Sequence, residues 1–220
     1  TSGSVVSDAS VKGNTAAATG TTIVSGVRGS ARNFNGTSDY VLVSGSSTLG
    51  VTNGNTLSFG AWIKTSGTSD FILHRGYSSS SGEYQLITDS DGPLRTYAYD
   101  LNGGNYYTNP TLVNSIKTVN DNQWHHVMAV YSPAGAALYI DGVQDGFAPA
   151  KLSNFTTSAT YTNFMIGREA TAGTAYFAGT IDEPFVTFSV LTPAEIKYIY
   201  DTGKKALESH TSGRITGISG

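Results

Sequence analysis

"DNQWHHVMAVYSPAGAALYIDGVQDG" occupies residues 121–146 and joins two adjacent histidines, a tryptophan, a proline turn and an Asp-Gly pair. Read as a strand, Trp124 to Tyr131 sends Trp124, His126, Met128 and Val130 to one face, and His125, Val127, Ala129 and Tyr131 to the other. Both faces are mostly apolar. Such a strand belongs in the middle of its sheet, with one side on a core and the other covered or lining a concave surface. Ser132-Pro133-Ala134-Gly135 supplies turn chemistry, and Ala136 to Ile140 returns as the partner strand. Asp141-Gly142 is a favoured type I′ pair because both residues tolerate positive φ. His125 and His126 invite a catalytic or metal reading, but adjacent strand residues diverge and cannot share one ion without a bulge. No His-Glu-x-x-His, Gly-x-Ser-x-Gly or phosphate loop accompanies them. The expectation is structural: a ring nitrogen bonds the backbone or a neighbouring loop.

Working outward, short alternating segments recur between Gly, Asn, Asp and Ser clusters, which is the signature of an all-β sandwich. Expected strands are 31–34, 40–43, 56–64, 70–75, 83–88, 94–100, 124–131, 136–140, 162–166, 176–181 and 185–189, enough for two packed sheets. One short C-terminal helix is expected at "LTPAEIKYIYDTG". Thr192 and Glu195 form a capping box, Pro193 suits the first helical position, Ile196, Ile199 and Tyr200 share a face, and Gly203 is the expected stop, with "KKALESH" able to extend it. Residues 1–22 read as a long loop. Residues 1–208 form one domain, and 209–220 are a polar tail, either a linker or a strand lacking its neighbour.

Composition narrows the function classes. Of the 220 residues, 13% are charged and 39% hydrophobic, so the surface must be rich in hydroxyl, amide and tyrosine groups. A formal net charge of −3 with 13 scattered Lys and Arg offers no basic stripe for nucleic acid or an anionic membrane. There is no cysteine, which excludes disulfides, thiolate metal sites and cysteine nucleophiles. No run reaches the roughly 18 apolar residues of a membrane span, so no membrane insertion is expected. A chain opening on Thr1 reads as a processed or excised piece of something longer.

The order of "RNFNGTSDYVLV", "LSFGAWIKT", "FILHRG", "QWHHVMAVYSPAGAALYIDGV", "NFMIGR" and "YFAGTIDEPFVTFSVLTPAEIKYIY" resembles the concanavalin A-like, laminin-G-like jelly-roll family, over about residues 5–203. The resemblance implies an all-β, two-sheet antiparallel jelly-roll sandwich. Modules of this family accompany glycosidases, adhesins and phage virion proteins, and they commonly bind glycans or other proteins. In related domains calcium often lies where an N-terminal Asp loop meets the Asp of the Gly-x-Ile-Asp-Glu strand. The matching positions are Asp8, Gly13 and Asn14 with Asp182. A mixed carboxylate and carbonyl set suits a structural Ca2+ ion, while a plain hydrogen bond from Asp182 to a neighbouring loop is the competing role.

For ligand binding, "LRTYAYDLNGGNYYTNP" offers Tyr97, Tyr99, Asn105, Tyr106 and Tyr107, and "FILHRGYSSSSGEYQ" adds His74, Arg75 and Tyr77. Tyrosine rings stack on sugars and amides bond their hydroxyls; the same rings could instead cover sheet edges. Related glucanases carry a Glu-x-Asp-x-Glu strand for glycoside cleavage, and this chain has none. The expected function is a non-catalytic recognition module, carbohydrate-binding or adhesive, in a larger extracellular, cell-surface or virion protein with a glycan or host-surface receptor as partner. The alternatives are a structural domain docking to a parent protein or virion assembly without a glycan ligand, and a glycoside hydrolase.

Overall fold

Two antiparallel sheets face each other and one helix lies across the second of them. The structure is a computed structural model that describes residues 4–51, 56–76, 82–102, 106–149, 162–170 and 175–213; for 82, 99–102, 106–111 and 210–213 only the backbone is described. In chain order the strands are β1 (Ser4–Val6), β2 (Ala16–Thr19), β3 (Thr22–Ser25), β4 (Ser30–Asn35) and β5 (Tyr40–Val43). Then come β6 (Leu57–Thr65), β7 (Phe71–Gly76), β8 (Gly82–Thr88), β9 (Pro93–Asn102) and β10 (Tyr106–Thr118). β11 (Trp124–Ser132), β12 (Gly135–Ile140), β13 (Val143–Pro149), β14 (Phe164–Ile166) and β15 (Ala178–Thr187) precede the helix α1 (Pro193–Gly213). The eight-stranded sheet runs β1-β2-β5-β14-β7-β8-β9-β10, and the seven-stranded sheet β13-β12-β11-β6-β15-β4-β3.

The opening stretch forms the β11–β12–β13 meander. β11 lies between β12 and β6, with Val127 opposite Ile140 on one side and Ala61 on the other. Asp141 and Gly142 adopt φ of 54° and 77°, the paired positive values of a type I′ turn, and Ile140 faces Val143 across it. Val127, Ala129 and Tyr131 join the main core between the sheets, whereas Met128 and Val130 form a second cluster with Ala137, Tyr139 and Ile196 of α1. The strand is apolar on both faces because both are covered, the outer one by the helix. In the main core Phe59 packs against Tyr84 and Tyr131 with ring centroids 5.0 and 6.3 Å apart, joining the two sheets. Fully burying such a side chain contributes on the order of 1.5–3 kcal/mol.

The capping box at α1 is present: the Thr192 N–H and hydroxyl both donate to Glu195 Oε2 at 2.7 Å, and the Glu195 N–H returns a bond to Thr192 Oγ1 at 3.3 Å. The helix does not stop at Gly203; it runs 21 residues to Gly213, so Ser209–Gly213 are helical rather than tail. Gly203 serves packing instead of termination. A Cβ there would meet the Trp62 ring at 2.6 Å. Three further expectations change. Residues 1–22, read as a loop, include β1, β2 and the start of β3, and residues 106–118, not among the expected strands, form the 13-residue strand β10. The expected strands 176–181 and 185–189 are one strand, β15, interrupted by a register shift between Asp182 and Phe185 where Glu183 takes φ of 47°.

Candidate functional site

Strand alternation gives the eight-stranded sheet an outer face turned away from the core. Register places Leu42, Met165, His74, Gln85, Tyr97 and Leu112 side by side across β5, β14, β7, β8, β9 and β10. Their strand neighbours Val41, Phe164, Leu73, Tyr84, Ala98 and Val113 all belong to the core cluster, which fixes the row on the outer side. The row changes in character along its length, from aliphatic at Leu42 and Met165 to imidazole, amide and phenol in the middle.

Beside Tyr97 on the same face, Arg95 is held by three partners. Its Nε donates to Asn114 Oδ1 at 2.8 Å, one amino group reaches the Tyr97 hydroxyl at 3.1 Å, and the other is ion-paired with Asp89. The guanidinium also lies 5.8 Å from the Tyr97 ring centroid. Tyr97 is thereby fixed in place, half-buried, with its ring braced from one side.

The sequence expectations for this region divide. His74 and Tyr97 do share the row, with Gln85 between them. His74, Arg75 and Gln85, however, are all buried. His74 Nδ1 accepts the Ala170 N–H at 2.8 Å, so the chain after β14 passes over it. Arg75 stands in register with Tyr84 and Phe164 on the core side, where its Nε meets Glu83 at 2.5 Å and a terminal nitrogen donates to Thr162 O at 2.9 Å. Its charge is satisfied internally, which corrects its assignment as a ligand-contacting group. Burial likewise makes His74 a floor residue. Tyr99 lies in β9 and Tyr106 and Tyr107 in β10, paired through backbone with Asn102 and Leu101; Tyr77 and Asn105 lie outside the described residues. Gln85, Arg95 and Asn114 were missed in the sequence. The alternation Arg95-Thr96-Tyr97 was a visible signal, but Asn114 could be found only after β10 was known to be a strand.

The expected calcium positions serve their own loops. Asp8 Oδ1 accepts the Ser10 N–H at 2.8 Å, and Oδ2 accepts the Ser10 hydroxyl and the Asn14 N–H at 2.8 and 2.7 Å. The backbone donor of Ser10, then that of Asn14, lowers the Asp8 carboxyl below its ordinary value. Asn14 Oδ1 takes hydroxyls from Ser46 and Thr48, and Gly13, at φ of 66°, makes the turn. Asp182 Oδ2 accepts the Arg28 N–H at 3.0 Å and Oδ1 the Glu183 N–H at 3.0 Å, so it anchors the β3–β4 turn. Both aspartates line an open cleft of about 1180 Å³. Their oxygens already accept N–H groups, and among the described residues no three carboxylate or imidazole side chains converge as a metal site.

A family model described as the concanavalin A-like lectin/glucanases superfamily matches residues 35–197. The chain belongs to this superfamily. Among curated protein sequences there is no match. Of solved structures, the binding domain of Paraclostridial Mosquitocidal Protein 1 is similar at 15% identity and a TM-score of 0.70, over 91% of this chain and 51% of that one. This chain therefore spans about half the length of that protein's binding domain structure. Domain 4 of AbnA, a GH43 extracellular arabinanase from Geobacillus stearothermophilus solved in complex with arabinotriose, is 18% identical with a TM-score of 0.62, over 83% of this chain and 82% of that one. A heptameric SAP-like pentraxin from Limulus polyphemus is 17% identical with a TM-score of 0.55, over 76% of this chain and 80% of that one. At these identities the likeness establishes the jelly-roll sandwich. Among the described residues no helix is long and apolar enough to cross a membrane.

Proposed function

We propose that this superfamily member is a non-catalytic recognition module of a larger extracellular, cell-surface or virion protein, and that it binds carbohydrate on the outer face of its eight-stranded sheet. The observation that carries this reading is the half-buried Tyr97 braced by Arg95, with the exposed Asn114 beside them: a fixed ring for a sugar to stack on, next to an amide group that bonds hydroxyls. The structural neighbours support it, since one is the binding domain of a mosquitocidal protein and another was solved with arabinotriose.

A glycan array with the purified domain tests the reading. Binding of one glycan class is expected, with Tyr97→Ala reducing affinity about tenfold or more, because a stacked aromatic in a sugar site is worth on the order of 1–3 kcal/mol. The competing reading, a docking domain without a glycan ligand, draws on exposed apolar side chains at the β10–β13 edge, where Ile116 and Phe147 are 87% and 55% exposed. Silence on the array together with self-association in sedimentation would favour that reading. Hydrolysis of a labelled oligosaccharide panel that survives extensive purification would overturn the non-catalytic assignment.

A further inference from the structure

Resting on the carbohydrate reading above, we infer that the module carries a second saccharide site on its other sheet, in the groove between α1 and the irregular half of β15. On the outer face of the seven-stranded sheet, Asp182, Trp62 and His126 stand side by side across β15, β6 and β11, because their strand neighbours Ile181, Ile63 and Val127 belong to the core. α1 rests on this row, with Gly203 against the Trp62 ring. The cleft of about 1180 Å³ extends along the helix here, where Trp62, His126, Arg28, Glu183, Tyr198 and Thr202 line it.

One buried carboxylate builds one wall of the groove. Asp182 is 3% exposed, and its two oxygens accept the Arg28 N–H and the Glu183 N–H, each at 3.0 Å. The β3–β4 turn and the β15 irregularity are thereby locked together, and the backbones of a cationic and an anionic residue are fixed to the same group. Glu183 takes φ of 47° within the register shift, a conformation that non-glycine residues rarely hold and that re-aims its side chain off the strand. Such strain gathers where side chains meet ligands. Both side chains are exposed, and neither has a hydrogen-bond or ion-pair partner among the described residues. A ligand with net charge of either sign meets one of them unfavourably. Neighbouring hydroxyls suit both, accepting from Arg28 and donating to Glu183 in charge-assisted bonds. On the helix wall Tyr198 is 72% exposed, a ring for the apolar face of a sugar. On the floor His126 is 1% exposed, and its Nδ1 has no partner among the described residues, so the protein leaves a polar atom unmatched beneath the groove.

Amide chemical shifts of the isotope-labelled protein, followed while maltotriose, cellotriose, xylotriose, mannotriose and lactose are titrated in turn, test this. At least one sugar is expected to move the amides of Arg28, Glu183 and Tyr198 as well as those of Arg95, Tyr97 and Asn114. Glu183→Gln and Tyr198→Ala, both at exposed positions, are expected to weaken binding in the groove about tenfold while leaving the melting midpoint and the affinity at Tyr97 unchanged. Shifts confined to the Tyr97 face, with no response to either variant, overturn the inference and leave the carbohydrate reading intact. Shifts confined to the groove uphold the inference and overturn the placing of the site on the eight-stranded sheet. No shift at either place with any of the sugars overturns both.

Discussion

Adjacent on one strand, His125 and His126 have their pKa values moved in opposite directions by their two faces. His125 Nδ1 lies 2.9 Å from Asp141 Oδ2 and its Nε2 3.1 Å from Asp121 Oδ1, and only the imidazolium can donate from both nitrogens at once. The hydrogen bond to Asp141 is the largest influence and, with Asp121, raises the His125 pKa against the opposing effect of burial. His126 packs under the helix with its ring 5.2 Å from that of Trp62, and burial pushes its pKa down to about 4, with Asp141 opposing. The linkage signs are opposite. A raised pKa gives His125 a stabilising contribution that is full below its unfolded value of 6.5 and lost as pH climbs through the raised value. A lowered pKa makes His126 cost stability as pH falls from 6.5 toward about 4, on the order of 3 kcal/mol across the window. Thermal melts from about pH 4 to about pH 9 should therefore peak near the unfolded histidine value. His125→Asn should flatten the alkaline limb and leave the acid limb. An alkaline limb unchanged in that variant would remove His125 from the account. Strand alternation in the sequence was sufficient to separate the two rings. The Asp121 partner was invisible, because nothing in residue spacing shows that the turn before β11 folds back onto the strand.

At the scale of elements, legibility followed side-chain size. β6, β7, β11 and β12 were plain because large apolar residues alternate or run together between turn residues. β2 was missed although its buried Ala16 and Ala18 alternate with exposed Ala17, since alanine and threonine carry too little hydrophobic contrast to reveal a period of two. β10 contains Pro110 and β13 is a largely exposed edge ending at Pro149, and proline in a run argues against a strand unless it sits at an edge or an irregularity. Here Pro110 falls within the register shift between Thr108 and Thr111. Gly203 misled for a related reason: glycine ends helices often, but this one is needed where α1 crosses Trp62. Gly203→Ala sets a gain in helix propensity of about 1 kcal/mol against overpacking of about 1–3 kcal/mol. Packing should win, because the obstacle is a ring already fixed between His126 and Tyr200. Urea unfolding is expected to show a lower midpoint with an unchanged slope; a higher midpoint would mean that the helix lifts off the sheet at little cost.

Across the whole molecule, the fold could be read because strand number, hairpin chemistry and motif order agreed. The site was only half legible, because which residues share a sheet face depends on pairing between strands far apart in sequence. Gln85 and Tyr97 are an example: their adjacency is set by the β8–β9 register, and Asn114 joins them only through β10. The metal expectation likewise depended on whether the loops of Asp8 and Asp182 needed an ion to hold them. Backbone N–H groups already do so, and melting curves in calcium and in chelator should coincide; a midpoint several degrees higher with calcium would show a site that binds the native state. The order in which strands enter the sheets bears on how the chain is made. β14 sits between β5 and β7, and β15 between β6 and β4, so each sheet has a central gap until residues 164–187 arrive. A nascent chain that has emerged only as far as β13 presents four unpaired edges facing two vacant slots, each a template for another chain. Closure of the sandwich is thus deferred until the last two strands of the domain have emerged, and the high sequence separation of those pairings places the domain among the slow folders, exposed to mispairing while it waits.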